Sequence, residues 1–235
     1  MRAICEWGLA GLEALKGEVD VFVVVDVLSF STCVDVACGR GAIVFPFPFG
    51  DRDKAAAEAS RRDAILAGRR YDPDARYSLS PPTLEKLDVG ERLLLPSPNG
   101  SRISFAAGDT PVLAGCLRNA TAVARTATEI AAGGTVAVIP AGERWPDGSL
   151  RPAIEDLLGA GAILNALTGN LSPEARIARS AFEAARPDLS DVVRHSVSGR
   201  ELVDLGFPQD VEMALDLNAS GCAPVLVEGA FRARG

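Results

Sequence analysis

The amino-acid sequence predicts an α/β fold, and three observations carry that prediction. Strand-like and helix-like segments alternate along the chain without low-complexity interruption, which is the pattern of layered α/β domains. Val19-Asp-Val-Phe-Val-Val-Val25 is β-branched and almost continuously apolar, as a central strand covered on both faces must be. The apolar run 136–139 empties into a polar, turn-forming loop. A helix then follows from Pro152, a residue type favoured at the first helical position.

At 235 residues the chain suffices for one large domain, read here as 1–235. A weak internal boundary is expected within the polar stretch 68–82, which holds Pro73, Pro81 and Pro82. A hydrophobic fraction of 48% with 23% charged residues is ordinary for a globular protein and argues against disorder. Net charge is −7, and no Lys/Arg run breaks the acidic balance, so nucleic-acid and anionic-membrane partners are not expected. An anionic substrate remains compatible, because a few local arginines and a cation reverse the field. Glu6 and Glu13 interrupt the N-terminal stretch, which lacks the apolar core of a signal peptide. The run 21–25 is too short to span a bilayer. Five cysteines without a C-x-x-C pair read as free thiols in a reducing cytoplasm.

In chain order, residues 2–7 read as an edge strand and 9–15 as a short helix. After the strand at 19–25, a helix is expected over 31–38 and a strand over 42–45. Phe45-Pro-Phe-Pro-Phe-Gly50 should break that strand, since proline cannot donate to a ladder. An Ala-rich helix over 53–67 follows, then the connection 68–82. Strands at 92–95 and 111–114 precede helices opening near 101 and 119, the second closed by Gly133. The strand 135–139 feeds a helix at 153–167. Helices are expected at 173–185, 188–195, 199–205 and 210–217, and a last strand at 224–227.

The chemistry sits where strands end. Val25-Asp-Val-Leu-Ser-Phe-Ser-Thr32 puts Asp26 at the carboxyl end of the most apolar strand, with Ser31, Thr32 and a helix start behind it. A charge there is costly unless matched. A hard cation on the carboxylate and a phosphate at the helix N-terminus match it; a simple turn cap is the alternative. Ser97-Pro-Asn-Gly-Ser-Arg102 offers Asn99 and Gly100 in a turn, with Arg102 for an oxyanion. Cys116-Leu-Arg-Asn119 adds Arg118 and Asn119, the latter also an N-cap candidate. Three such loops are expected to converge on one edge of a parallel sheet. The loop after 139 contributes Glu143 and Arg144, and the following helix Glu155 and Asp156. Adjacent helical residues point about 100° apart, so those two acids need not serve one ion. First-turn acids also suit a helix dipole with no other role.

Other phosphatase plans fail on spacing. Leu28 stands where D-x-D needs a second aspartate, and Arg40 misses the C-x5-R register from Cys33 by one. His195 is the sole histidine and follows no strand, which suits a structural or surface residue. No phosphate-binding G-x-x-x-x-G-K-[ST] and no dinucleotide G-x-G-x-x-G occurs.

Asp26-Val-Leu28, Ser97 to Arg102, Cys116 to Asn119, Ile139-Pro-Ala-Gly-Glu-Arg144, Glu155-Asp-Leu-Leu-Gly-Ala160 and Ser198-Gly-Arg-Glu-Leu202 occur in this order, followed by Gly206-Phe207 and Asp210. In this the chain resembles the 2-phosphosulfolactate phosphatase (ComB-like) family. The resemblance implies a three-layer α/β/α fold with a largely parallel or mixed sheet. It also implies a Mg²⁺-dependent phosphatase that hydrolyses phosphate monoesters of small 2-hydroxycarboxylic acids, its namesake step belonging to coenzyme M biosynthesis. On that reading Asp26 holds Mg²⁺ with Glu155 or Asp156, direct attack by Asp26 being its alternative role. Arg102, Arg118 and Arg144 bind phosphate or carboxylate, and Ser31, Thr32, Asn99, Gly100 and Asn119 complete the substrate contacts. Glu143 positions water or protonates the leaving oxygen. The expected partner is a small anionic phosphate ester, and a homodimer is the assembly compatible with it.

One departure stands out. Ser29-Phe30 occupies the place where the best-characterised relatives carry Arg-Ala, which removes a bidentate anion contact. This points to an ester less anionic than 2-phosphosulfolactate. It also keeps open a rival reading, a non-catalytic binder of phosphorylated metabolites.

Overall fold

In the computed structural model the described residues are 1–48, 50–72 and 74–234. Phe49 of the proline-interrupted stretch and Pro73 of the expected connection lie outside them. The strands are β1 (Arg2–Cys5), β2 (Val21–Val25), β3 (Ile43–Pro48), β4 (Ile65–Leu66), β5 (Arg92–Ser97), β6 (Val112–Gly115), β7 (Thr135–Pro140), β8 (Glu143–Arg144), β9 (Leu150–Arg151), β10 (Asn170–Leu171), β11 (Pro224–Val227) and β12 (Ala230–Ala233). The helices are α1 (Gly8–Leu15), α2 (Phe30–Gly39), α3 (Arg52–Arg61), α4 (Pro81–Leu84), α5 (Gly100–Ala106), α6 (Ala120–Ala131), α7 (Ile154–Ala166), α8 (Pro173–Ala185), α9 (Leu189–Arg194), α10 (Val197–Asp204) and α11 (Pro208–Ala214).

Ten strands form one mixed sheet in the order β10-β1-β7-β2-β6-β11-β12-β3-β5-β4, and β8 with β9 makes a separate hairpin. Strand β2 lies between β7 and β6, parallel to both. Every residue of β2 is buried, as its continuous apolar run predicts. Its alternate side chains feed two cores: Val21, Val23 and Val25 pack with α6, α7 and α8, whereas Phe22 and Val24 pack with α1, α2 and α5. A third, smaller cluster under α3 covers Phe45 and Leu94 on the other face of β3 and β5. Helices therefore cover both faces, and the molecule is layered α/β/α.

The sheet is not parallel throughout. β6 to β11, β11 to β12 and β12 to β3 are all antiparallel steps. Three inversions leave the parallel trio β3, β5 and β4 running opposite to β1, β7, β2 and β6. The sheet is therefore not the parallel one expected, and β5 runs opposite to β2, yet the loop after β5 still reaches the end of β2 through Gly100. The device responsible for the inversion is the hairpin β11–β12, of which the sequence reading anticipates only the first strand. Glu228 and Gly229 at its turn have φ of 51° and 76°, the left-handed pair that a tight hairpin requires.

Strand β3 runs through Pro46 and Pro48, where a break is expected, and pairs with β5 as far as Ser97. Ile43 N–H donates to Glu91 on the β5 side, so the even-numbered residues would donate toward β12. That neighbour pairs only at Val44, so the nitrogens of Pro46 and Pro48 face no ladder partner. The helix expected over 53–67 stops at Arg61 because Asp63 turns left-handed, at φ 49°, and Ala64 N–H caps Ala59. β1 is flanked by β7 on one side and the two-residue β10 on the other, so it is not an edge. Pro152 precedes α7, whose N-cap is Ala153. Residues of the stretch 68–82 pack into the body: Tyr77 is fully buried, and Arg70 and Ser80 both bond Asp210. No helix among the described residues is long and apolar enough to cross a membrane.

Candidate active site

Asp26 follows directly on β2, and both of its carboxylate oxygens are held by main-chain donors. Oδ1 accepts from Phe30 N–H at 3.1 Å and Oδ2 from Gly100 N–H at 2.9 Å. The second bond links the loop after β2 to the loop after β5, across the inverted sheet. It needs glycine, since a Cβ on residue 100 would lie 2.2 Å from the Phe30 ring and 2.8 Å from Asp26 Oδ2. Ser31 and Thr32 are fully buried and bond the main chain of their own turn, at Val24 and Val27. They shape the turn, and their hydroxyls are already engaged.

From the opposite side α7 delivers Asp156, whose Oδ1 accepts from Val27 N–H at 2.7 Å and Oδ2 from Gly142 N–H at 2.9 Å. It thus pins the residue after Asp26 to the loop after β7. Gly159, one turn on, permits this approach: a Cβ there would stand 2.7 Å from Val27 and 2.9 Å from Val25. Glu155 is buried beside Asp156 and accepts a long bond, 3.4 Å, from Ser196 Oγ at the N-cap of α10. Glu143, at the start of the β8–β9 hairpin, accepts from Asn99 Nδ2 at 3.0 Å. Asn99 is itself 6% exposed.

Four carboxylates thus meet with little cationic compensation. Burial raises Asp26 to about 6, against the bonds from Phe30 and Gly100, and the charge of Glu155 adds to the rise. Burial, then the charge of Asp26, raises Glu143 to about 7 despite the Asn99 bond. Asp156 is pushed well up by burial and by the charges of Asp26 and Glu155. Such crowding is what a bound cation relieves.

The arginines divide differently from the sequence expectation. Arg102 and Arg144 are exposed and line, with Trp7, Asn99 and Glu143, a cleft of about 370 Å³. Arg118 is committed elsewhere: it bonds Asp35 at 3.1 Å, Asp216 at 3.0 Å and the Met213 carbonyl. Asn119 closes its own turn, accepting from Cys116 N–H and donating to the Ala114 carbonyl. Neither contacts the carboxylate cluster among the described residues, because the loop after β6 faces Asp35 of α2 instead. His195 is exposed and, among the described residues, bonds only the Asp191 carbonyl through Nδ1.

Comparison with known proteins places the sequence in a family. The family model described as 2-phosphosulpholactate phosphatase matches residues 12–229. The chain belongs to that family. It is 33% identical over 208 residues to a 2-phosphosulfolactate phosphatase of Methanothermobacter thermautotrophicus, covering 88% of this chain and 87% of that one. A probable 2-phosphosulfolactate phosphatase of Symbiobacterium thermophilum is 30% identical over 229 residues, with 92% and 94% covered. Another, from Pseudothermotoga lettingae, is 29% identical over 218 residues.

In this 2-phosphosulpholactate phosphatase family member, Ser198 and Asp210 lie beside two arginines to which sequence reasoning assigns no role. Arg151, 9% exposed, lies 3.4 Å from Ser198 Oγ and 5.9 Å above the Trp145 ring, and its charge offsets that of Glu143. Arg70 reaches Ser29 and Asp210, and its charge offsets that of Asp26. An arginine therefore does stand at Ser29, but it arrives from forty-one residues further along the chain. No local pattern could have flagged it; only the buried acid at 210 hinted that a cation must come to meet it.

Proposed function

We propose that this phosphoric monoester hydrolase is Mg²⁺-dependent and acts on phosphate monoesters of small 2-hydroxycarboxylic acids. The observation that carries the reading is the convergence of Asp26 from the loop after β2, Glu143 from the start of the β8–β9 hairpin, and Glu155 and Asp156 from the first turn of α7 into one under-compensated cluster. The donors are all carboxylate oxygens, the chemistry a hard cation takes. Among the described residues no three His, Cys, Asp or Glu side chains are arranged to enclose an ion by themselves. Mg²⁺ keeps several waters and is held by one or two carboxylates together with substrate phosphate, so the reading asks only two ligands of this chain.

Asp26 and Glu155 are the residues that would hold it. Asp156, like Asp26, accepts main-chain bonds on both oxygens, and through Val27 and Gly142 it also positions the turn that carries Asp26; Glu155, with one long bond from Ser196, is the freer second ligand. When bound, the ion offsets charge developing on the phosphoryl oxygens. Glu143, raised to about 7, retains a proton near neutral pH and is oriented by Asn99. It donates that proton to the leaving oxygen as the P–O bond breaks and water adds to phosphorus, giving the free hydroxy acid and phosphate. Asp26, with main-chain bonds on both oxygens, is better placed as a fixed ligand than as a nucleophile. Arg102 and Arg144 line the approach to Glu143 and draw an anionic ester inward.

The test is phosphate release from a panel of 2-phospho-hydroxyacids, with Mg²⁺ and after chelation. Release that requires Mg²⁺ is expected. Binding without release would favour the non-catalytic binder, and release unaffected by chelation would remove the metal from the reading.

A further inference from the structure

Arg70 is built into the protein more carefully than neutralising one acid requires. Its Nε donates to Asp210 Oδ2 at 2.9 Å and its Nη2 to Ser29 Oγ at 2.7 Å. Asp210 is almost wholly buried and is itself held by Ser80 Oγ. The guanidinium lies 6.0 Å over the Phe207 ring, which Tyr71 meets edge-on. It is thus oriented by an acid, a hydroxyl and an aromatic face drawn from distant parts of the chain. A guanidinium has five donors, and among the described residues Nη1 has no acceptor. Ser29 is the N-cap of α2, and the next residue, Phe30, holds Asp26 through its N–H. The same arginine lines a cleft of about 370 Å³ with Arg69, Tyr71, Leu66, Leu79 and Pro96. Its bond to Ser29 also brings it beside the turn that carries Asp26, whose charge it offsets.

Arg118 is occupied by Asp35 and Asp216, and Arg102 and Arg144 are exposed on the Glu143 side. A fixed, partly buried guanidinium on the Asp26 side is suited to a second anionic group, separate from the phosphate. We propose that Arg70, held by Asp210 and Ser29, binds the carboxylate of the substrate and so selects acid-bearing phosphate esters over plain alkyl phosphates. This rests on the phosphatase reading of the neighbouring carboxylates.

Phosphoglycolate, ethyl phosphate and inorganic phosphate are the probes, since only the first carries a carboxylate. Their binding by calorimetry in Mg²⁺, and phosphate release from the two esters, are compared in the unaltered protein, Arg70→Lys and Arg70→Gln. Arg70→Gln is expected to weaken phosphoglycolate binding about 30-fold, the size of a lost charge-assisted contact, with the kinetic loss in KM rather than kcat. Ethyl phosphate and inorganic phosphate should change less than about 3-fold on the same scale. Arg70→Lys should fall between, because an ammonium cannot make the bidentate contact. Equal weakening of all three ligands would put Arg70 on the phosphate and overturn the proposal; so would unchanged phosphoglycolate binding, or none in the unaltered protein. Should Arg70→Gln fail to fold, Arg70→Lys keeps a cation against Asp210 and decides by the same selectivity. If the unaltered protein releases phosphate from neither ester, the phosphatase reading falls while the calorimetric comparison still decides the role of Arg70.

Discussion

Asp35 and Asp26 lie in consecutive segments of one chain, both out of solvent, and the protein treats them in opposite ways. Asp35, inside α2, receives Arg118 Nε at 3.1 Å and Ser220 Oγ at 2.6 Å, so burial is answered by a cation and a hydroxyl. Asp26, just before α2, receives two main-chain N–H groups and, among the described residues, no direct ion pair, while Glu155 and Glu143 add like charge nearby. A buried acid with a partner is a fastening. A buried acid among other acids is unfinished electrostatics, and it marks the place where a ligand must complete the structure.

The sharpest way to break that contrast is Asp26→Asn. It keeps the volume but sets an amide NH₂ against the Phe30 or Gly100 N–H, and it should lower turnover on the order of 10³-fold, several kcal/mol of transition-state stabilisation, while the protein still folds. Phosphate release and circular dichroism check it. Partial rescue by high Mg²⁺ identifies a metal ligand, whereas normal turnover would reduce Asp26 to a turn cap.

Asp35→Ala should do the reverse. It leaves Arg118 without its buried acid and should cost about 3 kcal/mol of stability, read by denaturant melting, while the folded fraction keeps its kcat. Equal stability with lost activity would erase the distinction between the two aspartates.

The pH response follows from the raised carboxylates. In the unfolded chain Asp and Glu ionise near pH 4, whereas in the folded, metal-free cluster Asp26 and Glu143 hold their protons to about 6 and about 7. Between those limits the folded state binds more protons, so its stability should fall as pH rises from about 5 to about 7. Thermal melting in chelator measures this, and Mg²⁺ should raise the Tm more at pH 8 than at pH 5. A metal-free Tm that climbs through this window would contradict the uncompensated cluster.

The smallest effect is expected at His195. Its ring is exposed and, among the described residues, meets only the Asp191 carbonyl and, weakly, its carboxylate. His195→Ala should shift stability by less than about 0.5 kcal/mol and leave the pH profile of phosphate release unchanged. Loss of a limb from that profile would bring histidine back into the chemistry.

What the sequence determined by itself is what short-range pattern controls. The apolar run of β2 requires cover on two faces, the spacing of α6 and α8 makes them amphipathic, and an aspartate closing such a strand calls for compensation. The order of the strand-end loops, legible through their motifs, supplied Asp26, Asn99, Glu143, Glu155 and Asp156, which the structure brings together. Tertiary structure alone decided the rest. Whether an arginine meets substrate or a buried acid depends on partners far along the chain: Arg118 on Asp35, and Arg70 on Asp210 and Ser29. The inversion of the sheet depended on the β11–β12 hairpin pairing between β6 and β3, strands about seventy residues apart in the chain. Periodicity reports the face a residue shows, because sterics and burial act within a turn or a pleat. It carries no information on which distant charge will be waiting there, because that is set by how the layers close.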